Sequence, residues 1–246
     1  AVVGSRKPSP YGAWATKKLI KDLALTNISI ISGMALGIDR IAHESALEHG
    51  LSTVGVLASS IDIEYPRSNK YLYARMKSQL LVSEYCLNVY PLRLNFVLRN
   101  RLISGLSLGI LVSEAGDKSG SLITANYALE QGRDVFAIPG QIDSNLSQGS
   151  NDLIKKGAKL VTCGQDILDE FSFLKELDTV NTPLERLKLS EVSLKVLSSL
   201  KMGTKSINRL SSECHIKIED IYTILIDLEM KGLIYRVTSD QYALKI

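Results

Sequence analysis

The chain has 246 residues, 45% of them apolar and 22% charged, enough for one large α/β domain with a sizeable core and a small second domain. No apolar run approaches the roughly 18 residues of a membrane-spanning helix. No signal peptide is visible, so no membrane partner and a cytoplasmic address are expected. The net charge of +3 permits a nucleic-acid partner without demanding one, and Cys86, Cys163 and Cys214 lack the CxxC spacing of a zinc site or a disulfide framework. No metal and no cofactor are expected.

Taken in chain order, the opening run Ala1–Val3 reads as a strand, and its lack of an initiator Met reads as a piece of a longer chain. Ser9-Pro10 has the form of a helix start, with Ser as N-cap and Pro at the first helical position. Ile28–Ile31 and Thr53–Leu57 read as buried strands on either side of a helix with Ile38, Ile41, Ala42, Ser45 and Ala46 on one face. Further strands are expected at Leu80–Val82, Gly109–Val112, Val135–Ile138 and Leu160–Val161. Arg99-Asn100-Arg101 falls just before the strand that starts at Gly109. Leu122, Ala125, Ala128 and Leu129 mark a later helix. This alternation predicts an α/β domain with a doubly wound, mostly parallel Rossmann-like sheet over residues 1–173. A linker follows at 174–189, where Asn181-Thr182-Pro183 interrupts a polar stretch. Residues 190–246 read as helix (Ser190–Leu200), helix (Ser206–Cys214), helix (Ile218–Lys231) and two strands (Ile234–Val237, Gln241–Leu244). That order predicts a small winged-helix domain.

The informative polar residues stand between strands and helices. Gly4-Ser5-Arg6 follows the first strand. Ser32-Gly33-Met34-Ala35-Leu36-Gly37-Ile38-Asp39 follows the second. Glu114-Ala115-Gly116 and then Ser119-Gly120-Ser121 follow Val112. Such turns aim backbone N–H groups outward at the positive end of a helix, which suits anions. Several along one sheet edge would form the row of sites a polynucleotide backbone needs. No GxGxxG opens the first turn and no Walker A run occurs, which disfavours NAD, FAD and ATP hydrolysis. Arg6, Lys70, Arg99 and Arg101 supply positive charge nearby, and Tyr65, Tyr71, Tyr73 and Phe96 are available either to stack on bases or to pack the core. Asp39 and His43, four residues apart on one helix, suit an acid–base pair or a tie between the helix and its surroundings.

These residues, in this order, resemble the DNA-processing protein family DprA, also called Smf. The resemblance rests on Val-Gly-Ser-Arg with Tyr11-Gly12, on Ser32 to Asp39 with Ala42-His43, and on Ile61-Asp62 with Tyr65-Pro66 and Asn69. It continues through Arg99 to Ser107, Ser119 to Ala125, Gly132-Arg133 with Val135 to Gly140, and Gly149 through Gly157-Ala158. It covers about residues 1–170.

The resemblance implies a non-enzymatic, homodimeric protein that binds single-stranded DNA without sequence preference. It implies that incoming strands are protected during natural transformation and that the RecA recombinase is helped onto them. Carried to matching positions, the implied DNA contacts are Ser5, Arg6, Gly33, Met34, Ala35, Gly37, Asn69, Lys70, Ser119, Gly120 and Ser121. Arg99 and Arg101 are added as contacts or as braces for the loops. Two stretches depart from the family pattern: Val97-Leu98 stands where Phe-Pro is usual, and Ala58-Ser59-Ser60 replaces a Gly-rich lead. The family's preceding helical region is not in this sequence. The third C-terminal helix carries Glu219, Asp220, Asp227 and Glu229 against Lys231, so phosphate would be repelled and the second domain is expected to be a protein-contact or regulatory module rather than a second DNA reader. The competing enzymatic reading is a phosphoribohydrolase-type nucleotide hydrolase. That group's Pro-Gly-Gly-x-Gly-Thr-x-x-Glu run is replaced here by Ser-Gly-Ser-Leu-Ile-Thr-Ala.

Overall fold

The computed structural model describes residues 1–24, 26–171, 190–200, 203–238 and 240–244. The expected linker at 174–189 lies outside the described residues. The chain divides into two compact units, Ala1–Glu176 and Leu177–Ile246.

The first unit begins with β1 (Val2–Val3), α1 (Pro10–Leu23), β2 (Ile30–Ser32), α2 (Ile38–Glu48) and β3 (Thr53–Val56). A short helix, α3 (Lys70–Arg75), leads to β4 (Leu80–Val82), α4 (Arg93–Gly105), β5 (Gly109–Val112) and α5 (Gly120–Glu130). It closes with β6 (Asp134–Ala137), α6 (Gln148–Lys155), β7 (Lys159–Leu160) and α7 (Gly164–Leu168). All the strand pairings are parallel, in the orders β2-β3-β4 and β1-β5-β6-β7. Parallel strands have both faces covered, which is why these short runs are almost wholly apolar. Their period of two sorts side chains to opposite faces. Val2, Leu111 and Phe136 pack with α1, α2 and α7. Val3, Ile110, Val112, Val135 and Ala137 pack with α4, α5 and α6. The sheet is therefore doubly wound.

The two sheets adjoin at β1 and β2, where Ser32 Oγ donates to the Val2 carbonyl at 2.7 Å. This buried side-chain bond stands at the seam in place of a backbone ladder.

Arg99-Asn100-Arg101 does not lead directly into β5, as expected from sequence; it lies in the middle of α4. The reason is periodicity hidden by polarity. Asn95, Arg99 and Ile103 repeat every four residues and with Ser104 are the buried residues of that helix, yet three of the four are polar.

The second unit has α8 (Glu191–Leu200), β8 (Lys205–Ser206), α9 (Ile207–Cys214), α10 (Ile218–Met230), β9 (Ile234–Arg236) and β10 (Gln241–Leu244). The helices and the last two strands follow the expected order, and β8 is an addition. Its sheet is antiparallel, ordered β8-β10-β9, over a core of its own that includes Leu200, Leu210, Ile221, Leu225, Leu228 and Tyr242. No described helix is long and apolar enough to cross a membrane.

Candidate nucleic-acid interface

Three turns at the carboxyl edge of the parallel strands are tied to one another through Ser5. Its N–H donates to the Glu114 carbonyl at 2.7 Å, and its carbonyl accepts from Ile38 N–H at 3.0 Å. The approach is too close for side chains. A Cβ on Gly4 would lie 2.7 Å from Ile38 Cγ1, and one on Gly37 would lie 2.3 Å from the Ser5 carbonyl oxygen. Gly37 also has φ +74°, a conformation glycine adopts without penalty. The Glu114 carboxylate is buried and grips the start of α1, accepting from Ser9 N–H at 2.7 Å and from Ser9 Oγ at 2.6 Å. Ser9 Oγ in turn accepts from Gly12 N–H at 3.0 Å, closing the N-cap.

The loop after β2 is held from inside. Arg99 is 4% exposed, and its Nη1 donates to the carbonyls of Gly33, at 2.6 Å, and of Val56. Asn69 is 1% exposed, and its Nδ2 donates to the carbonyls of Met34 and Ala35 at 2.9 and 3.1 Å. These bonds hold Met34 at φ +57°, an uncommon conformation for a non-glycine residue. Met34 itself is buried against Leu57, Leu72, Tyr73 and Met76. Asp39 Oδ2 accepts from Ala35 N–H at 3.3 Å, so the loop's own carboxylate takes one of its amide donors. Burial pushes the Asp39 carboxyl above the usual carboxylate range, and the positive charge of Arg99 opposes that rise.

Above these turns runs an open groove of about 840 Å³. Ser5, Arg6 and Ala35 line it together with Ser119, Gly120, Ser121 and Thr124. Arg93, Phe96 and Asn100 of α4 contribute to the same lining, as does Lys118. Arg6, Arg93 and Lys118 are exposed cations, while the acid in the lining, Asp39, is buried. The start of α5 points into the groove with Ser119 as N-cap and no acidic residue in its first turn. A positive helix end and three cations in one lining favour an anionic chain. Phe96 supplies an aromatic surface there: the Arg6 guanidinium lies 5.4 Å from its ring centre, and the Tyr65 ring 5.8 Å away. Phe96 directly precedes Val97-Leu98, so an aromatic is present despite that departure from the family pattern.

The expected site residues thus fall into three groups. Ser5, Arg6, Ala35, Ser119, Gly120 and Ser121 come together around the groove. Gly33, Met34, Gly37, Asn69 and Arg99 shape or brace its floor. Lys70 is exposed just beyond Asn69, outside the groove lining, and Arg101 faces away, pairing through Nη2 with both Glu84 carboxylate oxygens at 2.6 Å. Arg93, Asn100 and Lys118 were not among the expected contacts. Lys118 adjoins the Ser119 motif and could have been found there, whereas Arg93 is brought in only by the path of α4. His43 is fully buried, with Nδ1 2.7 Å from Thr53 Oγ1, and burial lowers its pKa to about 3. Its ring ties α2 to β3 and stays neutral. Among the described residues, no cluster of three or more His, Cys, Asp or Glu is placed to hold a metal ion.

Fold and groove together make the first unit a doubly wound α/β domain whose candidate site lies at the carboxyl ends of its strands, the usual ligand edge of such sheets. Residues 1–172 match the family model of DNA recombination-mediator protein A, and the chain belongs to that family. It is 49% identical over 174 residues to DNA processing protein DprA of Streptococcus pneumoniae, covering 70% of this chain and 61% of that one. It is 47% identical over 175 residues to protein Smf of Escherichia coli, covering 70% and 47%. The chain therefore spans about half to three fifths of the length of these relatives. The solved structure of the S. pneumoniae protein superposes with a TM-score of 0.66 at 47% identity, over 69% of this chain and 60% of that one. A solved structure of DNA processing protein A from Helicobacter pylori, reported for that protein's single-stranded DNA binding mode, superposes with a TM-score of 0.63 at 32% identity. That match covers 71% of this chain and 79% of the other.

Proposed function

We propose that this protein binds single-stranded DNA in the groove and acts as a recombination mediator. The observation that carries this reading is the groove itself: Arg6, Arg93 and Lys118 share its lining with a partly exposed aromatic, Phe96, and the positive end of a helix with no acidic residue in its first turn. Cations take phosphates and the ring takes a base face, a combination that accepts any sequence. The H. pylori relative's single-stranded DNA binding supports it. In this reading Arg99 and Asn69 act as positioning residues, Lys70 extends the contact past the loop, and Arg101 lies outside the track.

The finer role extends from the family. The protein protects incoming strands during natural transformation and helps load RecA as a homodimer in the cytoplasm, without catalysing a reaction. The second unit serves as a winged-helix module that contacts protein. On α10, Ile218, Tyr222, Ile226 and Met230 are exposed beside Glu219 and Glu229, a face that suits a protein surface better than a phosphate backbone.

The test is a mobility-shift series with labelled single- and double-stranded oligonucleotides at rising salt. Single strands should be preferred. The three groove cations contribute about −2 to the log–log salt slope, so its magnitude should fall by about 0.7 for each of Arg6→Ala, Arg93→Ala and Lys118→Ala. Wild-type affinity and slope in all three variants would overturn the groove. Release of base from nucleoside monophosphates above background would favour the phosphoribohydrolase reading instead.

A further inference from the structure

The outer face of α1 is unlike the rest of the surface. Ala15, Leu19, Ile20 and Leu23 are buried on its inner side. At helical spacing the opposite side presents Tyr11, Trp14, Lys17, Lys18 and Lys21. Trp14 is the chain's single tryptophan and is 59% exposed, with its ring centre 6.2 Å from that of Tyr11. Lys18 is paired with Asp22 at 2.8 Å. Lys17 and Lys21 are exposed, and neither forms an ion pair among the described residues. A large apolar ring left in water among cations has the make-up of a base-stacking platform rather than of a core position.

This face is continuous with the groove. Arg6 lines the groove and Lys7 follows it, both exposed, and the helix starts three residues later. Tyr11 Oη donates to the Pro139 carbonyl at 2.8 Å, which fastens the start of α1 to the same carboxyl edge of the sheet. From Tyr11 to Lys21 the helix offers about 15 Å of surface.

We propose that the outer face of α1 is a second segment of the single-strand track: the strand leaves the groove past Arg6 and Lys7, stacks a base on Trp14, and lays its phosphates on Lys17 and Lys21. This rests on the reading of the groove as a single-strand site. Charge selects the occupant. A second copy of the same face would bring lysines against lysines, and a lipid surface would find only two apolar side chains to take up.

Trp14 gives a direct readout in the full chain. A short oligothymidylate that fills the groove alone is compared with one several times longer, by anisotropy of a strand label and by tryptophan emission. The longer strand should quench Trp14 and bind at least about fivefold more tightly than the short one. The double variant Lys17→Gln, Lys21→Gln should lose both effects and keep wild-type affinity for the short strand; Trp14→Ala should lose the length advantage. If both strands bind through Arg6 with equal affinity and unchanged emission, the α1 track is overturned while the groove stands. If neither strand binds, the groove reading fails and the track falls with it. Trp14 emission that shifts with protein concentration in the absence of DNA would assign this face to a second copy and overturn the track.

Discussion

Arg99 and Arg101 are two residues apart on α4, yet one is sealed in the molecule and the other lies in solvent. The helix turns about 200° between them, so the first meets the Gly33 and Val56 carbonyls and the second meets Glu84. Arg99→Ala strands two buried acceptors and removes the positive charge beside Asp39. The expected cost is about 2–6 kcal/mol, at 1–3 for each acceptor, with loss of strand binding, measured by denaturant melts and anisotropy. Arg101→Ala should stay within about 1 kcal/mol of wild type, as exposed pairs do. His43 makes a separate prediction. Its folded pKa of about 3 lies below the ordinary 6.5, so the unfolded chain binds the extra proton between those values. Its contribution to stability is complete above pH 6.5 and falls by about 1.4 kcal/mol per pH unit on acidification through that window. In acid melts, His43→Gln should flatten this dependence; an unchanged slope would assign it to other groups.

At the level of elements, the groove depends on how turns are joined to helices. Ser5 links three turns, and Gly37 is the position where that link leaves no room for a side chain. Gly37→Ala combines a left-handed backbone with a 2.3 Å approach to the Ser5 carbonyl. It should cost more than about 1 kcal/mol and weaken strand binding, while Gly132→Ala, also at positive φ but in open space, should cost only the backbone strain of about 1 kcal/mol. Comparison of the two by thermal melting and anisotropy separates strain from loss of the link. The β1–β2 seam offers a second case. Ser32→Ala leaves the buried Val2 carbonyl without its partner, with an expected loss of about 1–3 kcal/mol.

For the whole molecule, two units with separate cores predict separable roles. If the groove and α1 carry the strand, truncation after residue 176 should leave single-strand affinity within about twofold, as read by anisotropy; a larger loss would give the second unit a share in binding. Much of the architecture was legible in the sequence, because short apolar strands and amphipathic helices announce themselves by period. All seven strands of the first unit, the Ser9-Pro10 helix start and the groups of Gly and Ser between strands and helices could be read in this way. The chain's motifs likewise carried its family. What only the tertiary structure decided is which polar residues face out. Arg99, Asn69, Asp39 and His43 look like surface chemistry in a linear sequence, since charge and polarity ordinarily mean exposure. Folding brings backbone carbonyls to Arg99 and Asn69, a hydroxyl to His43, and an amide N–H with the charge of Arg99 to Asp39, and a polar group given such partners can be buried. The same folding delivers Arg93 and Lys118 to the groove and leaves Trp14 outside, because exposure is set by the packing of neighbours and not by residue type.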